Sequence, residues 1–366
     1  MKNKFLLTFT VSLTIIFLSI LFSSVSAKPY KRLYKGVRPA GMGGAFAAVA
    51  NDSNAIFYNP AGLSRIKGFT IGLLNPAISI GENGIDMFSD SEDTDMDDTG
   101  EVADLLRQYT GKNMSLYASI TPNIGFRIKN FGVLVSAFAI AETNSSVRNP
   151  VYPEFNVDAR IDIGGIAGIG FLVPGVKGLR VGAALKSISR KSINEIYTPA
   201  EIAADNFDDI IEDDEFTKTG SSLDLGVIYT LPWEKYFKTD IALSGQNIPS
   251  IDFSDKEELP TEWILGVSIQ KKINAFSLIA AFDYRDITKN LGSDDDMAKR
   301  IHMGAELKFK DFIAVRCGLN QGYPSFGASL DLWVLKFDAA VYSEEIGFHA
   351  GQKEDKRYMG QISIGW

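Results

Sequence analysis

From Gly68 to the end of the chain, apolar and polar side chains alternate at a period of two in one short segment after another. Phe276, Leu278, Ala280, Phe282 and Tyr284 take one parity, and Ser277, Ile279, Ala281, Asp283 and Arg285 the other. Ile301, Met303, Ala305, Leu307 and Phe309 interleave in the same way with His302, Gly304, Glu306 and Lys308. Successive side chains of a strand point to opposite faces, so each segment has one greasy face and one mixed face. A bilayer accepts that arrangement only where the sheet closes on itself and leaves no unpaired edge. The last segment places Tyr358, Ile362, Ile364 and Trp366 on one face and ends the chain on an aromatic residue.

Bounded by turn residues, the pattern predicts about fourteen strands, over residues 68–80, 115–128, 131–143, 156–172, 179–193, 220–231, 239–247, 261–271, 276–287, 300–308, 312–319, 325–333, 336–345 and 356–366. The fold class is therefore all-β, a transmembrane antiparallel β-barrel over residues 68–366. Connections after even-numbered strands are tight, as at Lys129-Asn130 and Lys272-Ile273-Asn274, while most after odd-numbered strands are longer and polar. Short periplasmic turns opposite longer outer loops are the asymmetry of outer-membrane barrels. Trp233, Trp333 and Trp366 then fall at periplasmic strand ends and Trp263 near the opposite rim, which fits two aromatic girdles.

Ahead of the strands, Met1 to Ala27 reads as a cleavable signal peptide. Lys2 and Lys4 precede an apolar run from Phe5 to Phe22, and Val25-Ser26-Ala27 supplies the small-residue cleavage site. Loss of Lys2 and Lys4 takes the formal charge of the chain from −8 to −10, which argues against nucleic acid as a partner. Cys317 is the only cysteine, so an exported chain of this kind has no internal disulfide.

Between signal and barrel lies Arg38-Pro39-Ala40-Gly41-Met42-Gly43-Gly44-Ala45-Phe46, followed by Asn51-Asp52-Ser53-Asn54-Ala55-Ile56-Phe57-Tyr58-Asn59-Pro60-Ala61-Gly62-Leu63. Glycines that permit tight backbone contact, prolines that interrupt pairing and Asn/Asp side chains that cap turns suit a compact plug. The glycines lack GxGxxG spacing and no Lys-Ser/Thr follows, which excludes a nucleotide loop. This stretch resembles the N-terminal region of FadL-type and PorV-type outer-membrane proteins, where a Gly/Ala run and a small acidic turn lead into an aromatic residue and Asn-Pro-Ala. The resemblance implies that residues 28–67 form a hatch inside the barrel, with Asn59, Pro60 and Ala61 in its core and Phe46 and Phe57 beside the ligand path. For a FadL-type barrel it implies passive uptake of a hydrophobic small molecule such as a long-chain fatty acid, across an outer membrane shared with lipopolysaccharide. A PorV-type barrel would instead bind exported proteins in a secretion pathway, and a structural envelope barrel is the third reading. The C-terminal strand ending at Trp366 resembles the signal read by the barrel-insertion machinery.

Pro122, followed by Gly125, interrupts strand two and predicts a bulge or kink. FadL-like transporters open their wall sideways at a kink in the third strand, which here carries no internal proline, so Pro122 reads either as a transferred lateral opening or as a plain bulge. Asp283, Arg285, His302, Glu306, Lys308 and Arg316, with Asp331 and Asp338, lie on neighbouring late strands. They read as a structural network of opposite charges, or as a hydrophilic path. The acidic run around Asp93, Asp95 and Asp97 has Asp98 where a calcium loop needs glycine, and reads as a solvated outer loop. His302 and His349 lack metal-ligand spacing, and no catalytic or cofactor motif is present.

Overall fold

The computed structural model describes residues 30–204, 206–233, 236–254, 257–291 and 296–365. The expected signal peptide, the first two residues of the expected hatch and Trp366 lie outside the described residues.

Fourteen antiparallel barrel strands follow one another around a closed sheet. Two of them are interrupted. Strand β1 runs over Phe69–Leu74 and resumes over Ala77–Gly81, and β2 runs over Asn113–Ile120 and resumes over Asn123–Ile128. The others are β3 (Phe131–Arg148), β4 (Glu154–Leu172), β5 (Leu179–Tyr197), β6 (Phe216–Thr230) and β7 (Lys238–Ile248). They continue as β8 (Glu262–Ile273), β9 (Phe276–Tyr284), β10 (Ile301–Phe309) and β11 (Ile313–Asn320). The wall ends with β12 (Tyr323–Asp331), β13 (Leu335–Glu345) and β14 (Glu354–Gly365). Closure is made by β14 against β1, in register Gly72↔Gly365 below the break and Gly360↔Ile78 above it.

The alternation seen in the sequence is the alternation of faces. On β9, Phe276, Leu278 and Phe282 are exposed on the outside while Ile279, Ala281 and Asp283 are buried; on β10, Met303 and Leu307 are exposed while His302 and Glu306 are buried. Tight turns keep the short end compact: Lys129 and Asn274 adopt φ of 54° and 51°, the left-handed backbone that two-residue hairpins need. Trp233 and Trp333 project from this end, and Trp263 sits at the start of β8 near the opposite rim. Strands β3 to β5 run 18 to 19 residues, longer than the 13 to 17 expected, because their polar upper ends still pair with one another.

The segment from Tyr30 to Arg65 runs inside the barrel, from the long-loop end, where Lys299 lies over the Tyr30 ring, to the short-turn end, where Arg65 pairs with Asp240. It contains the short helices α1 (Val37–Gly41) and α2 (Ala55–Tyr58) and a 3₁₀ helix over Pro60–Arg65. The long-loop end carries α3 (Glu82–Glu92) and α4 (Thr99–Gln108) between β1 and β2. Between β5 and β6 lie the short helices α5 (Pro199–Ile202) and α6 (Phe207–Asp213). Thr198 and Glu201 form a capping box on α5, and the backbone N–H of Thr198 holds the Glu201 carboxyl below its ordinary range. Between β7 and β8, the two short strands Ile251–Ser254 and Glu257–Leu259 pair with each other, and Ile251, Phe253 and Leu259 are buried in the luminal core.

The outward parity is the lipid-facing one. Ala280→Lys, at mid-strand on the outer face of β9, is expected to lower unfolding free energy by about 2–4 kcal/mol, the cost of a cation near the bilayer midplane. Ala281→Ser on the inner face is expected to cost far less. Denaturant titration of the protein refolded into liposomes reads both, and equal losses would contradict the assignment of faces.

Candidate functional site: the luminal segment and the interrupted wall

The Tyr30–Arg65 segment is attached to the wall by charge pairs at several levels. Arg38 makes a bidentate pair with Glu306 of β10, Nε to Oε2 at 2.8 Å and Nη2 to Oε1 at 2.7 Å. Its Nη1 donates to Asn51 and Asp52 of the segment's own turn, both at 2.7 Å. Glu306 also accepts from Arg316 Nε on β11 at 2.7 Å and lies 3.5 Å from Lys308 Nζ. Planar carboxylate and guanidinium groups match in two parallel hydrogen bonds, the strongest geometry available to such a pair. Burial alone would raise the Asp52 carboxyl, but Arg38 outweighs it and holds the group below its ordinary value. That contribution to docking is complete above the ordinary carboxylate range and fades as pH falls through the lowered value.

Nearer the long-loop end, Lys35 donates to Glu142 of β3 at 2.7 Å and to Glu344 of β13 at 3.1 Å. Arg160 of β4 pairs with the same Glu142, and Arg357 of β14 with Glu344 at 3.1 Å. Two carboxylates between three cations leave none of these buried charges without an opposite neighbour, which a low-dielectric interior requires. At the short-turn end, Arg65 Nη2 donates to Asp240 of β7 at 2.7 Å. Lys31 pairs with Glu257 of the short hairpin, which also accepts from Arg190 of β5.

The late-strand charges expected to pair among themselves are divided. Glu306, Lys308 and Arg316 form one cluster with Asp338 and Arg38. Asp283 instead accepts the backbone N–H groups of Phe46 and Ala47, at 2.7 and 2.8 Å. His302 Nδ1 lies 2.8 Å from the carbonyl oxygen of Gly43, and Arg285 pairs with Glu262. Asp331 lies outside this network and accepts from the Trp333 N–H in the turn.

Backbone fit accounts for the rest of the attachment. Inward-facing glycines of the wall meet the segment so closely that a Cβ has no room. One added at Gly182 would stand 2.3 Å from Pro60 C, at Gly226 2.0 Å from Asn59 Oδ1, at Gly132 2.0 Å from Leu63 O, and at Gly304 2.3 Å from Met42 O. Asn59 joins both parts: its Oδ1 accepts from Ala61 N, capping the 3₁₀ helix begun by Pro60, and its Nδ2 donates to Ala47 O at 2.9 Å. Phe46 is fully buried, under Arg38 and edge-on to Tyr58 at 5.3 Å. Phe57, half-buried, stacks on Tyr34 at 4.3 Å and meets Phe138 of β3 edge-on at 6.1 Å. Phe46, Phe57, Asn59, Pro60 and Ala61 thus lie in one packed unit within the lumen.

The wall is interrupted where Pro122 suggested, and also beside it. The break in β2 at Thr121–Pro122 faces the break in β1 at Asn75–Pro76. The Asn75 side chain spans the gap: Oδ1 accepts from Thr121 N at 2.7 Å, and Nδ2 donates to Thr121 O at 2.8 Å and to Thr121 Oγ1 at 2.9 Å. An amide side chain thereby replaces the ladder bonds that two prolines remove from adjacent strands. Pro122 O accepts from Ala137 N at 3.1 Å, so β2 stays attached to β3. Gly125 faces inward just below the break, with the Val133 carbonyl 2.9 Å from where its Cβ would be. Among the described residues, no group of His, Cys, Asp and Glu side chains is arranged to hold a metal ion.

A closed fourteen-stranded barrel with a charged lumen and an apolar outer belt is the architecture of outer-membrane β-barrels. No family profile and no curated protein matches the chain in sequence. Among solved structures it is similar to the toluene transporter TbuX of Ralstonia pickettii, with a TM-score of 0.53 and 11% identity over 90% of this chain and 97% of that one. It is also similar to the deltaS2S3 mutant of the monoaromatic hydrocarbon channel TodX, with a TM-score of 0.50 and 11% identity over 90% of this chain and 98% of that one. The fold is that of the TbuX- and TodX-type barrels.

Sequence reasoning missed the Asn75–Pro76 break, the Lys35–Glu142–Glu344 cluster and the wall glycines. Glycine recurring at inward parity on β4, β5 and β6 was the readable signal for the last.

Gly182→Leu is expected to displace the 3₁₀ helix from the wall. Trypsin should then cleave at Arg38 and Arg65 while the barrel keeps its heat-modifiable mobility, with both sites protected in the unaltered protein. Arg38→Met leaves Glu306 to Arg316 and Lys308 of the wall and is expected to cost about 1.5–3 kcal/mol of docking free energy, the worth of hydrogen bonds to a charged group. The double variant with Glu306→Gln should recover part of that loss in the same protease assay.

Proposed function

We propose that the chain is an outer-membrane transporter in which residues 28–67 form a hatch and hydrophobic small molecules cross by diffusion. The observation that carries this reading is the coincidence of two features. The lumen is occupied by a segment pinned at both ends, and the wall beside it has a paired interruption in adjacent strands. A polar solute would need an open aqueous path, whereas a lipophile needs only a way out of the lumen into lipid. Opening the Asn75–Thr121 contact would provide one without unzipping a continuous ladder, and the Pro122 kink is then part of a lateral opening.

The aromatic residues of the hatch supply an apolar surface inside an otherwise charged lumen. Phe57, Tyr34 and Phe138 form a cluster suited to flat or chain-like hydrocarbons, and Tyr58 links it to Phe46. Small-molecule sites are mostly apolar with a few orienting polar groups. The names of the two similar structures, a toluene transporter and a monoaromatic hydrocarbon channel, support the hydrophobic class of ligand. A long-chain fatty acid is the alternative cargo within that class.

Native mass spectrometry and lipid extraction, on barrel purified in a detergent that does not mimic a fatty acid, test the reading. The expected result is a co-purified lipophile whose occupancy falls about tenfold in Phe57→Ala, near the 1.4 kcal/mol that such a factor represents, with the fold retained. An empty barrel holding an exported protein would overturn transport in favour of a secretion-partner role. Asn75→Ala is expected to change the rate of toluene or oleate entry into proteoliposomes, and an unchanged rate would contradict the lateral opening.

A further inference from the structure

The lipid-facing wall carries a hollow that the transport reading does not use. It measures about 710 Å³ and lies across β11 to β14 and the upper part of β1. Its floor is a row of small outward residues in direct register, Ala328↔Ala339↔Gly360, ending at Ile78. The next outward row towards the short turns is bulky, Ile313↔Leu330↔Phe337↔Ile362. On the other side, Phe326, Val341 and Tyr358 stand in register above the floor. Two tall rows with a low one between them make a trough that runs across the strands.

The dimensions fit a chain. Neighbouring strands lie about 4.8 Å apart, so the three steps from Ala328 to Ile78 span about 14 Å. Half of a hydrocarbon core of about 30 Å is of the same length. The floor lies three to four residues from the turn between β12 and β13, or roughly 10 Å along the strand, which places it in the leaflet on the short-turn side. Strands tilted by about 35–45° turn this cross-strand direction partly along the membrane normal, the direction in which acyl chains run.

We infer that the trough seats one acyl chain of a membrane phospholipid. The occupant follows from continuity: exposed Ile78, Ile313, Phe337 and Ile362 belong to the belt that meets the bilayer on all sides. The far end reaches Pro76, where β1 is broken, and just below it, between Gly72 and Leu74, the pairing of β1 with β14 shifts register. The seated chain therefore covers the outside of the one seam at which first and last strands close the barrel. This depends on the barrel's residence in a bilayer and not on what the lumen carries.

The test uses mature protein in phosphatidylcholine nanodiscs containing a phospholipid with a diazirine at the end of one acyl chain. After photolysis, insertion is mapped by peptide mass spectrometry. Insertion into the Ala328, Ala339 and Gly360 peptides is expected to exceed that into the peptides of the bulky outward pair Leu243 and Leu265 by about threefold, a preference of about 0.65 kcal/mol. Ala339→Leu, which fills the floor, should abolish the excess, and Ala280→Leu should leave it unchanged. Gly360→Leu serves as the second filling variant, and heat-modifiable mobility checks folding. Even labelling around the belt, an excess that survives both filling variants, or cross-linked dimers in place of lipid adducts would overturn the inference.

Discussion

Charge cannot be left unpaired inside a closed barrel. A sheet that shows lipid an apolar outer face has only its inner face for polar side chains, and that face is removed from bulk water once a chain segment fills the lumen. The Arg38–Glu306 pair is where this constraint is met most completely, with Arg316 on the wall and Asp52 in the luminal segment completing the group. Lys35 between Glu142 and Glu344 repeats the solution one level higher. These groups give the luminal segment a single seat, because moving it by even a few ångströms strands several charges together.

Glycine makes that seat reachable. At Gly132, Gly182, Gly226 and Gly304, the wall and the luminal segment approach so closely that a methyl group would overlap main-chain or amide atoms. The wall is thus carved to the shape of the 3₁₀ helix and of the Met42 turn, and the charges lock what the carving admits. Asn59 belongs to both systems, capping the helix while standing against Gly226. The β1–β2 interruption follows a different logic. There the ladder is broken by proline on both strands, and one asparagine side chain holds the gap in place of ladder bonds.

The barrel itself was legible in the sequence, because period-two alternation and turn residues are local signals. Positions such as Phe276 to Tyr284 and Ile301 to Phe309 fell on the faces that their parity implied. Strand ends were less legible: β3 and β4 extend to Arg148 and Glu154 through polar residues that pair with each other outside the apolar belt. The partners of the luminal charges could not be read at all. Whether Asp283 pairs with Arg285 or accepts the Phe46 and Ala47 N–H groups depends on where the luminal segment lies, and that depends on glycines far away in sequence. Pro122 announced one break, but the matching break at Pro76 mattered only once β1 and β2 were seen to be neighbours.

The most direct test of the account is single-channel conductance in planar bilayers. Mature protein is compared with a variant lacking residues 28–67, and heat-modifiable mobility verifies that both are folded. The account predicts no steady conductance from the mature protein and large ohmic steps from the deletion variant. Equal conductance from the two would contradict the claim that the N-terminal segment closes the barrel.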